Sequence, residues 1–232
     1  MLQLGNLVLS ERRAIIFRKT GIIADLHLGI EGVLEEKGIA IPSIQIDEIL
    51  HEIYSLIEEH GLRELIIAGD LKNEFGRNIP GEWADVKRLI ENLREVVDLR
   101  VVRGNHDNYL QTILSGYGIA LEDGAQIGKY TVVHGHDDSP ARRIIMGHEH
   151  PSIKIRHAGA IYRYPCFLHC KSDEREVWVL PSFSRFFTGS NILEGNFLSP
   201  ILDGFRAEEI EVYAIEDEVY HLGNLKILGN VV

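Results

Sequence analysis

The sequence predicts an α/β fold, and three observations carry the prediction. In the first half, short apolar runs alternate with segments of helical spacing: strand, helix, strand, helix, strand up to Asn105, an order that calls for parallel pairing and right-handed crossovers. Five apolar runs stop abruptly in polar residues, as strands do where they leave a sheet. In the second half, runs around 131–134 and 144–148 follow each other with little room for a helix, which predicts neighbours in a second, more antiparallel sheet.

Taken in order, Leu7–Leu9 and Ala14–Phe17 read as strands around the polar turn 10–13, and a turn at Lys19-Thr20-Gly21 precedes a strand ending in Asp25 and His27. A Gly- and Glu-rich loop is expected after Gly29. Pro42-Ser43 then opens a helix whose apolar positions Ile46, Ile49, Leu50, Ile53, Tyr54 and Ile57 follow i, i+3, i+4 spacing, with Gly61 as its C-cap. Glu64–Ala68 is a strand delivering Asp70, followed by a loop over 71–81 and a second amphipathic helix from about Glu82, with Trp83, Val86, Leu89, Ile90, Leu93 and Val97 inward. Leu99–Val102 is the next strand, and Gly104 is expected to let the chain turn sharply into Asn105-His106-Asp107. A helix is expected over Asp107–Ser115 and irregular chain over 116–128. After His157, strands are expected at Ala160–Tyr164, Phe167–Cys170, Glu176–Leu180 and Glu209–Ile215, with a long surface loop over Pro181–Gly204.

The five runs end in Asp25-Leu26-His27, Gly69-Asp70, Gly104-Asn105-His106-Asp107, His134-Gly135-His136 and Gly147-His148-Glu149-His150. Six of the 11 histidines fall there: His27, His106, His134, His136, His148 and His150. The Gly-Asn-His-Asp run read alone could be a turn leading into a helix N-cap. Read together, the five groups can meet in one crevice, because ligands of open α/β sheets bind outside the carboxyl ends of the strands. Carboxylates, an amide oxygen and imidazoles without sulfur suit borderline divalent metals such as Mn, Fe, Zn or Ni. The set is too large for one ion, and Asp70, alone at its strand end, is the natural bridge of a dinuclear centre. The paired residues sit two apart, so that in a strand both would face one side. Two ions roughly 3.5–4 Å apart clamp the attacking and leaving oxygens of a displacement at phosphorus, so phosphoester hydrolysis is the leading chemistry.

The 232 residues, 45% of them hydrophobic, suffice for one substantial core, and a single domain over 1–232 is expected. A net charge of -11 disfavours broad attraction to nucleic acid or anionic membrane. The first ten residues lack a leader pattern and no membrane span is expected, which predicts a soluble cytoplasmic protein. Cys166 and Cys170 are expected to be buried free thiols, since an isolated C-x3-C is weak as a metal site. Arg142, Arg143, Arg156 and Arg163 are expected to be solvated, with a phosphate-binding rim as the alternative.

In the order D-x-H, GD, GNHD, HGH and GHxH, the five segments resemble the signature blocks of the calcineurin-like metallophosphoesterase superfamily, over residues 25–150. The N-terminal hairpin and the wording Ala-Asp-Leu-His-Leu-Gly and Gly-His-Glu-His-Pro further resemble the archaeal group related to SbcD-type nucleases. The resemblance implies a two-sheet β sandwich flanked by helices, with the active site at the strand carboxyl ends. It implies two divalent ions, Mn above all, one held by Asp25, His27, Asp70 and His150 and the other by Asp70, Asn105, His134 and His148. It implies His106 as the general acid and a metal-bridging hydroxide as the nucleophile, attacking in line. A phosphodiesterase is the expected activity, with a nuclease on single-stranded DNA and a non-catalytic metal-binding scaffold as alternatives. His136 is not a ligand in this scheme; it either contacts phosphate or packs locally. Asp107 is expected to be a helix cap or loop salt bridge. Many relatives place Asp or His three residues after the bridging Asp; here Asn73 stands there, leaving Asn73 or Glu74 to support His106.

Overall fold

A computed structural model describes residues 1–39, 42–77 and 79–229. Residues 40, 41 and 78, in the loops expected after Gly29 and Leu71, lie outside the described residues. The chain opens with an antiparallel meander of β1 (Leu2–Leu4), β2 (Leu7–Ser10), β3 (Ala14–Phe17) and β4 (Thr20–Ile23). It continues through α1 (Ile30–Glu36), α2 (Gln45–His60), β5 (Glu64–Ala68), α3 (Pro80–Leu93), β6 (Asp98–Val102), α4 (Leu110–Ser115) and β7 (Leu121–Glu122). Strands β4 to β7 pair in parallel, completing a seven-stranded sheet in chain order. The carboxyl ends of β4, β5 and β6 therefore lie side by side.

The second sheet comprises β8 (Ala125–Ile127), β9 (Tyr130–Val133), β10 (Arg143–Met146), β11 (Pro151–His157), β12 (Ala160–Lys171), β13 (Glu176–Val179), β14 (Ser190–Asn191), β15 (Ile210–Ile215) and β16 (Val219–Asn224), with α5 (Leu225–Leu228) after it. β9 and β10 are neighbours, as expected, but pair in parallel, and β10 pairs in parallel with β13. The segment 134–142 must therefore carry the chain back the length of a four-residue strand, roughly 13 Å and within reach of that segment without a helix. Most other pairings of this sheet are antiparallel.

Three apolar clusters hold the layers. One lies between the first sheet and its helices, with Ile53, Leu56, Leu65, Ile67, Val86 and Leu89 at its centre. The second lies between the sheets, where Leu9, Ile22, Ile66 and Val102 meet Val132, Ile145, Phe167 and Trp178. The third covers the outer face of the second sheet with Ile201, Leu202, Leu225 and Leu228.

Several elements depart from the sequence reading. β1 was not foreseen, and the loop expected after Gly29 contains α1. Its Glu31 carboxylate accepts the N–H groups of Ile44 (2.7 Å) and Gln45 (2.8 Å), capping the start of α2 from another element. Ala160–Lys171 is one strand, and Pro165 falls where its partner changes from β11 to β15, so the missing N–H interrupts neither ladder for long. Pro181–Gly204 is not a surface loop throughout: Ser182, Phe183, Ser184, Ile192, Ser199, Ile201 and Leu202 are buried. No helix of the described residues is long and apolar enough to cross a membrane.

Candidate metal centre

The ends of β4, β5 and β6 in one sheet and of β9 and β10 in the other open onto one point. Asp25, His27, Asp70, His148 and His150 all have left-handed backbone conformations, with φ of 60°, 45°, 50°, 69° and 44°. For residues other than Gly this conformation costs roughly 1–2 kcal/mol each, and its concentration here marks a functional constraint. It also replaces the strand alternation expected for Asp25/His27 and His148/His150: these pairs converge because the chain coils in αL turns beyond the strands.

The chain turns at Gly104 as expected, its carbonyl accepting the Asp107 N–H at 3.3 Å, but Gly104 is not among the residues of positive φ, so the turn alone does not call for glycine. A Cβ there would lie 2.2 Å from both the amide nitrogen and Oδ1 of Asp70, so glycine is required for the close approach of two strand-end loops. Gly147 plays the same part between sheets, since its Cβ would lie 2.5 Å from Ala24 Cβ and 2.6 Å from Asp25 Oδ2.

Among the described residues three groups of donors result: Asp25, His27 and His150; His27, Asp70 and His106; and Asp70, His134 and His148. His27 Nε2 lies 3.2 Å from His150 Nε2, and His150 Nε2 lies 3.2 Å from Asp25 Oδ1. On the other side His148 Nδ1 is 3.2 Å and Asn105 Oδ1 3.0 Å from His134 Nε2. Between them, Asp70 Oδ2 is 3.8 Å from His27 Nε2 and 3.4 Å from His134 Nε2. Donor atoms bound near 2.1 Å around one cation stand roughly 3–3.4 Å apart, which these spacings fit except the 3.8 Å from Asp70 Oδ2 to His27 Nε2. The seven residues singled out as ligands in the sequence thus meet, and His106 stands beside them.

At His27, His148 and Asp70 the protonation states suit that purpose. Burial is the largest influence on His27 and His148 and lowers each to about 4, keeping both imidazoles neutral. Burial pushes Asp70 up, but His134 and His27 outweigh it and hold the carboxylate well below its ordinary range. His134 and His150 shift oppositely: burial lowers them, while Asp70 and Asp25 acting on His134, and Asp25 acting on His150, outweigh it and raise both, His134 to about 9. At His134 and His150 a proton therefore competes for the place of a cation.

His106 sits at the rim. Its Nδ1 is 2.6 Å from the backbone carbonyl of Asn73, which can only accept, so Nδ1 carries the hydrogen and Nε2 faces Asp70 Oδ2 at 4.0 Å. The support anticipated from the side chain of Asn73 or Glu74 is therefore a main-chain carbonyl. Glu74 instead pairs with Arg77 at 3.6 Å. Asp107 caps no helix. Its buried carboxylate accepts the N–H groups of Leu71 (3.0 Å), Lys72 (3.4 Å) and Gly104 (2.8 Å), bracing two strand-end loops. Burial, then the charge of Asp70, raises it to about 6. His136 packs beside His134, centroids 5.3 Å apart, and its Nε2 faces Asp137 at 3.2 Å; it belongs to none of the donor groups.

Some contributors were missed in the sequence. Gln45 is buried and its Nε2 donates to the carbonyls of Leu26 (3.1 Å) and His27 (3.0 Å), holding the first ligand loop. A signal existed: Gln45 shares the helix stripe of Ile49, Ile53 and Leu56, where a polar residue needs a reason. Ser182 Oγ donates to the Asp25 carbonyl at 2.8 Å, and the Phe187 ring lies 4.4 Å from that of His27. Of the four arginines, Arg142 donates to the carbonyls of Glu174 and Asp173, Arg143 pairs with Glu176, and Arg163 donates to the Gly189 carbonyl.

Two facing sheets with a His/Asp cluster at the strand ends define a site able to hold divalent metal, and the family that the sequence matches makes the chain a metal-dependent hydrolase. The calcineurin-like phosphoesterase family model matches residues 18–170, and the chain belongs to that family. Among solved structures the chain is similar to a Pseudomonas putida nuclease, MPE, with TM-score 0.67 and 24% identity, covering 93% of this chain and 94% of that one. It is also matched to the Escherichia coli phosphoesterase Yfce, with TM-score 0.45 and 16% identity, over 88% of this chain and 97% of that one. No curated protein matches the sequence.

Proposed function

We propose that the protein is a phosphodiesterase with a dinuclear divalent-metal centre, Mn foremost. Asp25, His27, Asp70 and His150 would hold one ion, and Asp70, Asn105, His134 and His148 the other. The observation that carries this reading is the position of Asp70 Oδ2, between His27 and His134 and within 4 Å of an imidazole nitrogen of each. When bound, such ions supply Lewis acidity toward phosphoryl oxygens and lower the pKa of water. His106, doubly protonated, would pass its Nε2 proton to the leaving oxygen and be left as the neutral ring whose Nδ1–H stays bonded to the Asn73 carbonyl.

Diesters are favoured over monoesters because Arg142, Arg143 and Arg163 are engaged with protein oxygens, while Arg156 is exposed on β11, six residues along the chain from His150. A cavity of about 680 Å³ beside His134 and His136 can receive the ester group that is retained. Its lining sets Arg103 against Asp123, Asp137 and Asp138, which disfavours a second phosphate and supports small diesters over polynucleotides. Two sheets sharing one core and one ligand cluster support a single catalytic domain, and the buried free thiols fit the cytoplasm.

The second reading is a nuclease on single-stranded DNA, of the kind suggested by the SbcD-like wording of the motifs. The name of the P. putida neighbour favours it, as do Phe187 and the exposed Phe75, whose rings lie beside His27 and His106 and could stack bases. Hydrolysis of bis(4-nitrophenyl) phosphate, 4-nitrophenyl phosphate and single-stranded DNA by Mn-loaded protein separates the readings. The diester should be cleaved fastest, with weak, salt-sensitive action on DNA. Preference for the monoester would overturn the diesterase reading, and efficient DNA cleavage at physiological salt would replace it with the nuclease.

A further inference from the structure

Lys72 and Glu82 are both buried, and their ammonium and carboxylate face each other at 3.6 Å. Burying two charges is unfavourable unless geometry and further hydrogen bonds compensate, so such a pair calls for a role. Glu82 lies in the first turn of α3, where a carboxylate could simply complement the helix N-terminus. Its Oε2 is turned elsewhere, accepting the N–H of Asn73 at 3.1 Å and of Glu74 at 2.7 Å. Lys72 Nζ reaches the Glu74 carbonyl.

The N–H of Glu74 and the C=O of Asn73 belong to one peptide unit, and a trans peptide is a rigid plane whose N–H and C=O point in opposite directions. The carboxylate that grips the N–H therefore aims the C=O, and that oxygen accepts Nδ1–H of His106. A charged acceptor on the N–H end also polarises the peptide and strengthens its carbonyl as an acceptor. We infer that Glu82, backed by Lys72, is a positioning residue for His106, acting through the peptide between Asn73 and Glu74 where a side-chain carboxylate at position 73 is lacking. The inference rests on the reading of His106 as the general acid.

The test compares two diesters of similar shape, bis(4-nitrophenyl) phosphate and diphenyl phosphate, whose leaving groups differ in their need for a proton. Glu82→Gln keeps an acceptor and removes the charge, and the double variant Lys72→Met/Glu82→Leu removes the brace without leaving an unpaired buried charge. Glu82→Gln should retain its metal content and KM and lose roughly 10-fold in kcat on diphenyl phosphate, with little change on the nitrophenyl ester. The double variant should lose more, with the same selectivity. In ¹⁵N-histidine spectra the Nδ1 proton of His106 should move upfield in Glu82→Gln, a readout independent of turnover. Equal losses on both substrates, or an unmoved Nδ1 proton, would overturn the inference. So would unchanged rates in Glu82→Gln beside a selective loss in His106→Ala, which leaves the general-acid reading standing. A His106→Ala variant losing equally on both esters would remove the general acid and its brace together.

Discussion

His106 presents a defined edge to the centre: Nδ1 is committed to the Asn73 carbonyl, the backbone N–H to Asp70 Oδ1 at 2.9 Å, and Nε2 is left toward the cluster. A residue that only donates a proton should be separable from one that holds metal. His106→Ala should retain the metal content and fold of the wild type while losing about 10²- to 10⁴-fold in turnover on diphenyl phosphate. The loss should be much smaller on nitrophenyl esters, whose leaving group is stable as the anion. Metal analysis and steady-state kinetics on the two esters check this, and loss of metal in His106→Ala would instead assign the imidazole to the His27, Asp70 and His106 group as a ligand. The residues that meet at the centre were legible in the sequence, because carboxylate, amide and imidazole functions ending apolar runs have few other uses. The conformation that brings them together was not. The left-handed turns at Asp25, His27, Asp70, His148 and His150 arise from packing between loops distant in sequence.

At the level of elements, the centre depends on strand-end loops lying in direct contact, and Gly104 is where that contact is closest. Gly104→Ala would drive Cβ into the backbone nitrogen of Asp70, an atom that cannot rotate away. We expect a loss of about 1–3 kcal/mol in stability together with most of the metal affinity, measured by urea unfolding and metal titration. Gly81, in α3 with no atom within 4 Å of an added Cβ, is the control: Gly81→Ala should be neutral or stabilise by up to about 1 kcal/mol. Equal behaviour of the two variants would contradict the close-approach account. The alternating elements of the first half follow their spacing. Less legible was the role of 181–204, whose Ser182 and Phe187 close over the site: its Gly, Ser and Phe composition resembles surface chain, and its burial comes from the Asp25 loop at Ser182 and from the outer face of the second sheet at Ile192, Ile201 and Leu202. The parallel pairing of β9 with β10 was equally hidden, since 134–142 contains no helix to announce a crossover.

At the scale of the whole molecule, two sheets supply the ligands of one centre across a shared apolar core, in a chain of net charge -11. The central claim is that this junction holds two ions with Asp70 between them. Its most direct test is metal stoichiometry, by mass spectrometry of metal-stripped protein reloaded with Mn, alongside turnover of bis(4-nitrophenyl) phosphate. Wild type should bind two ions per chain and regain activity, and Asp70→Asn should bind fewer and lose roughly 100-fold in turnover. Glu59→Gln, remote from the centre and paired with Arg12, should match the wild type. Two retained ions and full turnover in Asp70→Asn would contradict the shared-ligand centre.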